Sequence, residues 1–205
     1  MLQLYLTRHG ETIWNTQSRM QGRQDSPLTP VGLEQAGRLA DALADVPLSR
    51  VWTSPAPRAM QTCRIVLSRQ KQPPVCQVDP RIHEMDLGSW EGLSIGEAKA
   101  LDPDNLLAFL HDPERFRPTG GESYRQVSAR MASFLTDLQD LARQCEQDGC
   151  EINALVVSHN ITLKALFALM ERRPLAMLRD GPPIRQAALY RAQYAGRWLI
   201  SGPAV

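Results

Sequence analysis

Leu2-Gln3-Leu4-Tyr5-Leu6-Thr7-Arg8-His9-Gly10 is an apolar, alternating stretch that ends abruptly on an arginine, a histidine and a glycine. The alternation predicts a strand over Leu2 to Thr7, with Arg8-His9-Gly10 opening the loop at its carboxyl end. A second stretch has the same form. Ile152 to Val157 is a continuous apolar run, the mark of a strand buried on both faces, and Ser158-His159-Asn160 follows it.

Outward from these two stretches, helices and strands alternate. Thr29-Pro30 has the form of an N-cap with proline at the first helical position. An amphipathic helix then runs from Val31 to Ala44, with Leu33, Ala36, Leu39, Ala40 and Leu43 on one face. Arg50 to Thr53 reads as a strand, and Ser54-Pro55-Ala56-Pro57 interrupts it before a helix over about Arg58 to Ser68. Val75 to Val78 reads as a third strand. A Gly-rich acidic loop, His83 to Gly92, leads into two proline-punctuated polar segments that end at Gly121. From Glu122 to about Gln147 the spacing of Val127, Met131, Phe134, Leu135, Leu138 and Leu141 predicts a long helix, stopped by Gly149. Ile161 to Met170 reads as helix, and Gln186 to Ile200 as two strands turning at Ala195-Gly196. The order predicts an α/β sheet covered on both faces. No repeat or second composition divides the chain, so a single domain is expected over residues 1–205, with a lid-like excursion at about 93–121.

The 205 residues carry a net charge of +1, with a pI near 7.7, 43 % apolar and 22 % charged residues. That balance supplies an ample core and no overall field for nucleic acid or an anionic membrane. Cys63, Cys76, Cys145 and Cys150 form no CxxC pair and have no histidine at a zinc-ligand spacing, so they read as reduced thiols. An arginine and a histidine come too early for a signal peptide, and no apolar run approaches the roughly 20 residues that span a bilayer. A cytoplasmic protein is expected.

Both histidine segments fall where predicted strands end, the edge at which open α/β sheets bind ligands. Arg58 opens the helix after another strand. Arg8, His9, Arg58 and His159 could thus gather several positive or potentially positive groups at one edge of a nearly neutral protein. Physically, that is a pocket for a small dianion.

Five ordered motifs resemble those of the histidine phosphatase superfamily, which includes the cofactor-dependent phosphoglycerate mutases. The first is Arg8-His9-Gly10-Glu11-Thr12 with Trp14-Asn15, continued by Gln21-Gly22-Arg23-Gln24-Asp25-Ser26-Pro27-Leu28-Thr29. Ser54-Pro55, Arg58-Ala59 and Gln61-Thr62 are similar to the second. Glu84-Met85-Asp86-Leu87-Gly88-Ser89-Trp90-Glu91-Gly92 is similar to the third, and Gly120-Gly121-Glu122-Ser123 and Val157-Ser158-His159 complete the set. The resemblance spans about residues 2 to 170.

It implies a phosphoglycerate mutase-like fold, a three-layer αβα sandwich with a mostly parallel central sheet. It also implies His9 as a nucleophile that carries the phosphoryl group, and Arg8, Arg58 and His159 around the phosphoryl oxygens. Glu84 is implied as general acid and base, and Asn15, Gln21, Gly22 and Asn160 as further phosphate or substrate contacts. A carboxylate among cations holds a proton weakly, so Glu84 would need burial, a hydrogen bond or the incoming dianion to act as donor. Arginines would take the place of a metal, and no cofactor is implied. The second histidine is usually followed by glycine in this family, and here Asn160 stands there. His83 and His111 fall outside the family positions and read as packing or surface, and Arg115 and Arg117 as a solvated loop.

The resemblance implies a phosphatase acting on a small phosphorylated metabolite. The chain is similar to the small branch with broad-specificity and α-ribazole phosphatases, because mutases generally carry a longer segment between the Glu84 and Gly120 motifs. The alternatives are a phosphoglycerate mutase and a non-catalytic phospho-ligand binding protein. Monomer and homodimer are both left open by the sequence.

Overall fold

Each side chain of an alternating strand needs its own apolar layer, and two layers are present. In the computed structural model, which describes residues 1–204, Leu2, Leu4 and Leu6 enter one core cluster and Tyr5 another. In the parallel neighbouring strand, Ala154 and Val156 enter the first cluster, and Leu155 and Val157 the second. Both strands are therefore covered on two faces.

In chain order the elements are β1 (Leu2–Arg8), α1 (Ile13–Thr16), α2 (Pro30–Leu43), β2 (Leu48–Thr53), α3 (Pro57–Leu67) and β3 (Cys76–Val78). They continue with α4 (Ile95–Leu101), α5 (Pro103–His111), α6 (Tyr124–Asp148), β4 (Ile152–Ser158), α7 (Asn160–Met170), β5 (Leu189–Tyr194) and β6 (Trp198–Ala204). The sheet order is β3-β2-β4-β1-β5-β6, with the first four strands parallel and the last two antiparallel. Helices α2 and α3 cover one face through Leu39, Ala40, Leu43, Ala59, Cys63 and Val66. Helices α6 and α7 cover the other. This is the expected three-layer αβα sandwich.

Several boundaries differ from expectation. The second strand starts at Leu48, the third at Cys76, and the last runs to Ala204. Glu122 lies outside α6, because Ser123 caps it: the Ser123 hydroxyl accepts from the Gln126 amide, and Gln126 Oε1 accepts from the Ser123 amide at 2.8 Å. Gly149 ends the helix in the left-handed conformation, as expected. Leu33 does not join the buried face of α2 and is 41 % exposed.

The largest difference is in residues 93–121, which hold two helices where only polar segments were expected. Ser94 and Glu97 form a capping box for α4, and the Asp102 side chain caps α5 at the Asn105 amide. Helices this short are marginal alone. Burial of Phe109 and Phe116 against Trp90 and Tyr124, with ring centroids 5.2 to 5.9 Å apart, holds α5 on the body, and Ala98 of α4 joins the same core cluster. Among the described residues, no helix is long and apolar enough to cross a membrane.

Gly32 occupies the buried position at the start of α2 because the His9 loop passes directly against it. A Cβ on Gly32 would lie 2.1 Å from the Glu11 carbonyl oxygen, and one on Gly10 would lie 2.5 Å from that of Gly32. Two backbones meet here with no room for a methyl group. Gly32→Ala is therefore expected to cost about 1–3 kcal/mol by overpacking. In the same helix Gly37 has nothing within 4 Å of its Cβ position, and Gly37→Ala is expected to add roughly 0.5–1 kcal/mol. Urea unfolding of the two variants checks the opposite signs, and equal effects would refute this account.

Candidate active site

Parallel pairing carries β1 and β4 to the same height, with Arg8 opposite Ser158. The His9 amide donates to the Ser158 carbonyl at 3.1 Å, so the residues that follow leave the sheet side by side. The rings of His9 and His159 lie 5.2 Å apart between centroids. From the next helix, the Thr62 hydroxyl accepts from the Gly10 amide at 3.1 Å and donates to the Arg58 carbonyl at 2.9 Å. One threonine thus ties the His9 loop to the turn that presents Arg58.

The His9 ring is 2 % exposed, and its Nδ1 lies 2.7 Å from the Gly10 carbonyl oxygen. A carbonyl only accepts, so Nδ1 carries the hydrogen and Nε2 holds a lone pair. Burial, followed by the charges of Arg8 and Arg58, holds the imidazole pKa well below 6.5. The ring is neutral, in the tautomer a nucleophilic Nε2 requires.

His159 is likewise neutral, for reasons that come first from burial and then from Arg58. The Arg58 guanidinium donates to its Nδ1 at 3.3 Å, so Nε2 carries the hydrogen and donates to Ser54 Oγ at 2.6 Å. Both histidines, counted from the sequence as potential cations, bring no charge. His159 also lies behind the cavity wall rather than on it, with His83 stacked on its ring at 5.8 Å.

The positive charge is on the arginines. Arg8 has its pKa lowered by burial to about 10, against the opposing pull of Glu84, and is charged at neutral pH. It donates one hydrogen bond to the Ile184 carbonyl at 3.1 Å. Arg58, 1 % exposed, clamps the preceding loop. It donates to the carbonyls of Gly22 at 2.7 Å and Gln24 at 2.8 Å, and to Asp25 Oδ1 at 2.9 Å. Glu91 closes that loop from the other side, accepting from the amides of Arg23 and Gln24, each at 2.7 Å. After these bonds the Nε atoms of Arg8 and Arg58, and Nε2 of Gln21, remain buried without a partner among the described residues. All three residues line one cavity, and unsatisfied donors beside it suit an oxyanion.

Glu84 projects from the loop before Gly88 and meets the start of α7. Its carboxylate accepts from the amides of Met85, Ile161 and Thr162 and from the Thr162 hydroxyl at 3.0 Å. Asn15 Oδ1 accepts from the Thr12 amide at 3.1 Å, the return half of the α1 capping box. Asn160 sits in the first turn of α7, and its Oδ1 accepts from the Ile184 amide at 2.9 Å.

A cavity of about 630 Å³ brings together Arg8, His9, Asn15, Gln21, Gly22, Arg58, Glu84 and Asn160. His111, Arg115 and Arg117 are exposed elsewhere. Sequence reasoning missed the parts played by Ser54, Thr62 and Glu91, which stand inside recognisable motifs but act only on other residues of the site. It also missed Arg179, which lines the cavity from the segment after α7.

The model of the histidine phosphatase superfamily (branch 1) matches residues 4–200. An Enterobacter protein named "Probable phosphoglycerate mutase GpmB" is 31 % identical over 205 residues, covering 98 % of this chain and 90 % of that one. The α-ribazole phosphatase of Shigella flexneri is 30 % identical with a TM-score of 0.82, over 94 % of this chain and 91 % of that one. A mycobacterial glucosyl-3-phosphoglycerate phosphatase, solved with VO3, is 31 % identical with a TM-score of 0.84, over 97 % and 96 % of the two chains.

The neutral histidines set an acid limit to stability. His9, His83 and His159 all have folded-state pKa values below 6.5, so the unfolded chain binds more protons once the pH falls below that value. Their contribution is intact above about pH 6.5 and is lost on acidification toward the folded values, by up to about 1.4 kcal/mol per pH unit for each histidine. Unfolding free energies from pH 7.5 to 5 are expected to fall less steeply in His9→Gln than in wild type. Parallel curves would show that the His9 pKa is the same in the folded and the unfolded chain.

Proposed function

The chain belongs to branch 1 of the histidine phosphatase superfamily, and on that premise we propose that it is a metal-independent phosphatase of phosphomonoesters working through a phosphohistidine on His9. The observation that carries this reading is the shared cavity of a neutral His9, with Nε2 unprotonated, and the unpartnered donors of Arg8, Arg58 and Gln21. In the proposed reaction the Nε2 lone pair attacks phosphorus in line. The bond from phosphorus to the ester oxygen breaks, and a proton from Glu84 goes to that oxygen. Water then attacks the phosphohistidine and returns its proton to Glu84, and inorganic phosphate leaves with Nε2 free again. The arginine donors stabilise the charge that gathers on the equatorial oxygens. The VO3 bound by the mycobacterial relative and the phosphatase names of two structural neighbours agree with this reading. A cytoplasmic location is part of the proposal and rests on the four unpaired thiols.

A mutase is the second reading, favoured by the name of the Enterobacter relative. Chain length does not separate the two, because this chain covers 90 % of that protein.

Phosphate release from an aryl phosphate in the presence of chelator tests the proposal. Wild type is expected to turn over, His9→Ala to fall to background, and Glu84→Gln to lose about 10²- to 10⁴-fold in kcat. Acid-labile label trapped on wild type and absent from His9→Ala identifies the intermediate. Activity that survives His9→Ala, or requires a metal, overturns the mechanism. Conversion of 3-phosphoglycerate to its isomer with a bisphosphoglycerate primer, without net phosphate release, would select the mutase.

A further inference from the structure

The cavity is also lined by Leu87, Phe109, Leu110 and Ile161, and by two further arginines, Arg19 and Arg179. Arg19 is already engaged: it donates to the Gly92 carbonyl at 2.7 Å and lies 3.6 Å from Glu97. Arg179 is not. Its guanidinium stacks on the Phe109 ring at 4.9 Å, its Nε is buried without a partner, and it has no ion pair among the described residues. Ring stacking satisfies the face of a guanidinium but none of its N–H groups; the Tyr124 hydroxyl is within reach of the guanidinium, and Nε still lacks an acceptor among the described residues.

The fold holds Arg179 in place. Lys164, 6 % exposed, donates from Nζ to the carbonyls of Arg179 at 2.8 Å, Asp180 at 3.1 Å and Gly181 at 2.9 Å. Farther along the segment, Ile184 is held by Arg8 and Asn160. A buried ammonium thus fixes three successive carbonyls, and the same segment is joined to the phosphoryl end of the cavity. A guanidinium only packing on a ring has no need of such an anchor.

We propose that Arg179 is a specificity-determining residue that receives an anionic oxygen group, a carboxylate or second phosphate, carried by the leaving group of the phosphomonoester. The inference rests on the phosphatase reading. It makes the preferred substrate an ester with two acidic ends, one held by Arg8 and Arg58 and the other by Arg179, with an apolar span between them. The planar fork of Arg179 suits two oxygens of one group.

Two aryl esters of matched size and similar leaving-group acidity test it: 4-carboxyphenyl phosphate and its neutral counterpart, 4-carbamoylphenyl phosphate. Wild type is expected to favour the carboxylate by about 10- to 100-fold in kcat/KM, chiefly through KM, the scale of a hydrogen bond to a charged group. In Arg179→Gln the preference is expected to vanish, and in Arg179→Lys to survive in part. Both esters meet the rest of the site alike, so their ratio cancels any general loss of activity or folding. A wild type without preference, or one whose preference persists in Arg179→Gln, overturns the inference. Calorimetric binding of the same esters to His9→Ala, with and without Arg179→Gln, decides the matter without turnover. A silent wild type removes the phosphatase reading, while the calorimetric ratio still supports or overturns the role of Arg179.

Discussion

The parallel pairing of β1 with β4 ends where the His9 amide donates to the Ser158 carbonyl, and that junction fixes the distance between two loops otherwise far apart in sequence. His9 and His159 stand side by side because their strands finish at the same height. A slip of one residue in either strand would turn that strand's side chains to the opposite face of the sheet and part the two histidines. Arg58 depends on the same junction, since it reaches His159 on one side and Thr62 links its backbone to Gly10 on the other.

Burial then decides which of these groups carries charge. An imidazole near two guanidinium groups, away from water, is cheaper neutral than protonated, and each ring has found a partner that fixes its tautomer. The arginines cannot shed their charge at neutral pH, and the protein satisfies three of their N–H groups with backbone carbonyls. Charge and lone pair are thereby separated: the arginines carry the charge, and the neutral His9 holds an unprotonated Nε2. The unsatisfied donors that remain mark the place left for a ligand.

Around this centre, close backbone contacts leave little freedom. The third motif docks on the Gly120 motif, where a Cβ on Gly88 would lie 2.2 Å from the Thr119 carbonyl oxygen. The Glu122 amide donates to the Asp86 carbonyl, and the Asp86 amide donates to the Glu122 carboxylate, which Arg130 grips at two points, each 3.0 Å away. Glu84 thus emerges from a loop braced by α6 and ends against the start of α7.

What the sequence by itself determined is local or carried by pattern. Alternation in Leu2 to Leu6, the apolar run before Ser158, the Thr29-Pro30 cap and Gly149 each act over a few neighbouring residues, so they were legible without coordinates. The ordered motifs likewise marked His9, Arg8, Arg58 and Glu84. Helices α4 and α5 were not legible, because helices this short depend on tertiary packing: Trp90, Phe116 and Tyr124 pack on Phe109 of α5, and Ala98 of α4 joins the same core cluster. Nor was Leu33's exposure, which follows from Gly32 docking against the His9 loop. Only the tertiary structure decided that both histidines are neutral, that Arg58 is spent largely on the loop before it, and that Arg179 shares the cavity. Desolvation and hydrogen-bond supply depend on what approaches in space, and those partners lie dozens of residues away along the chain.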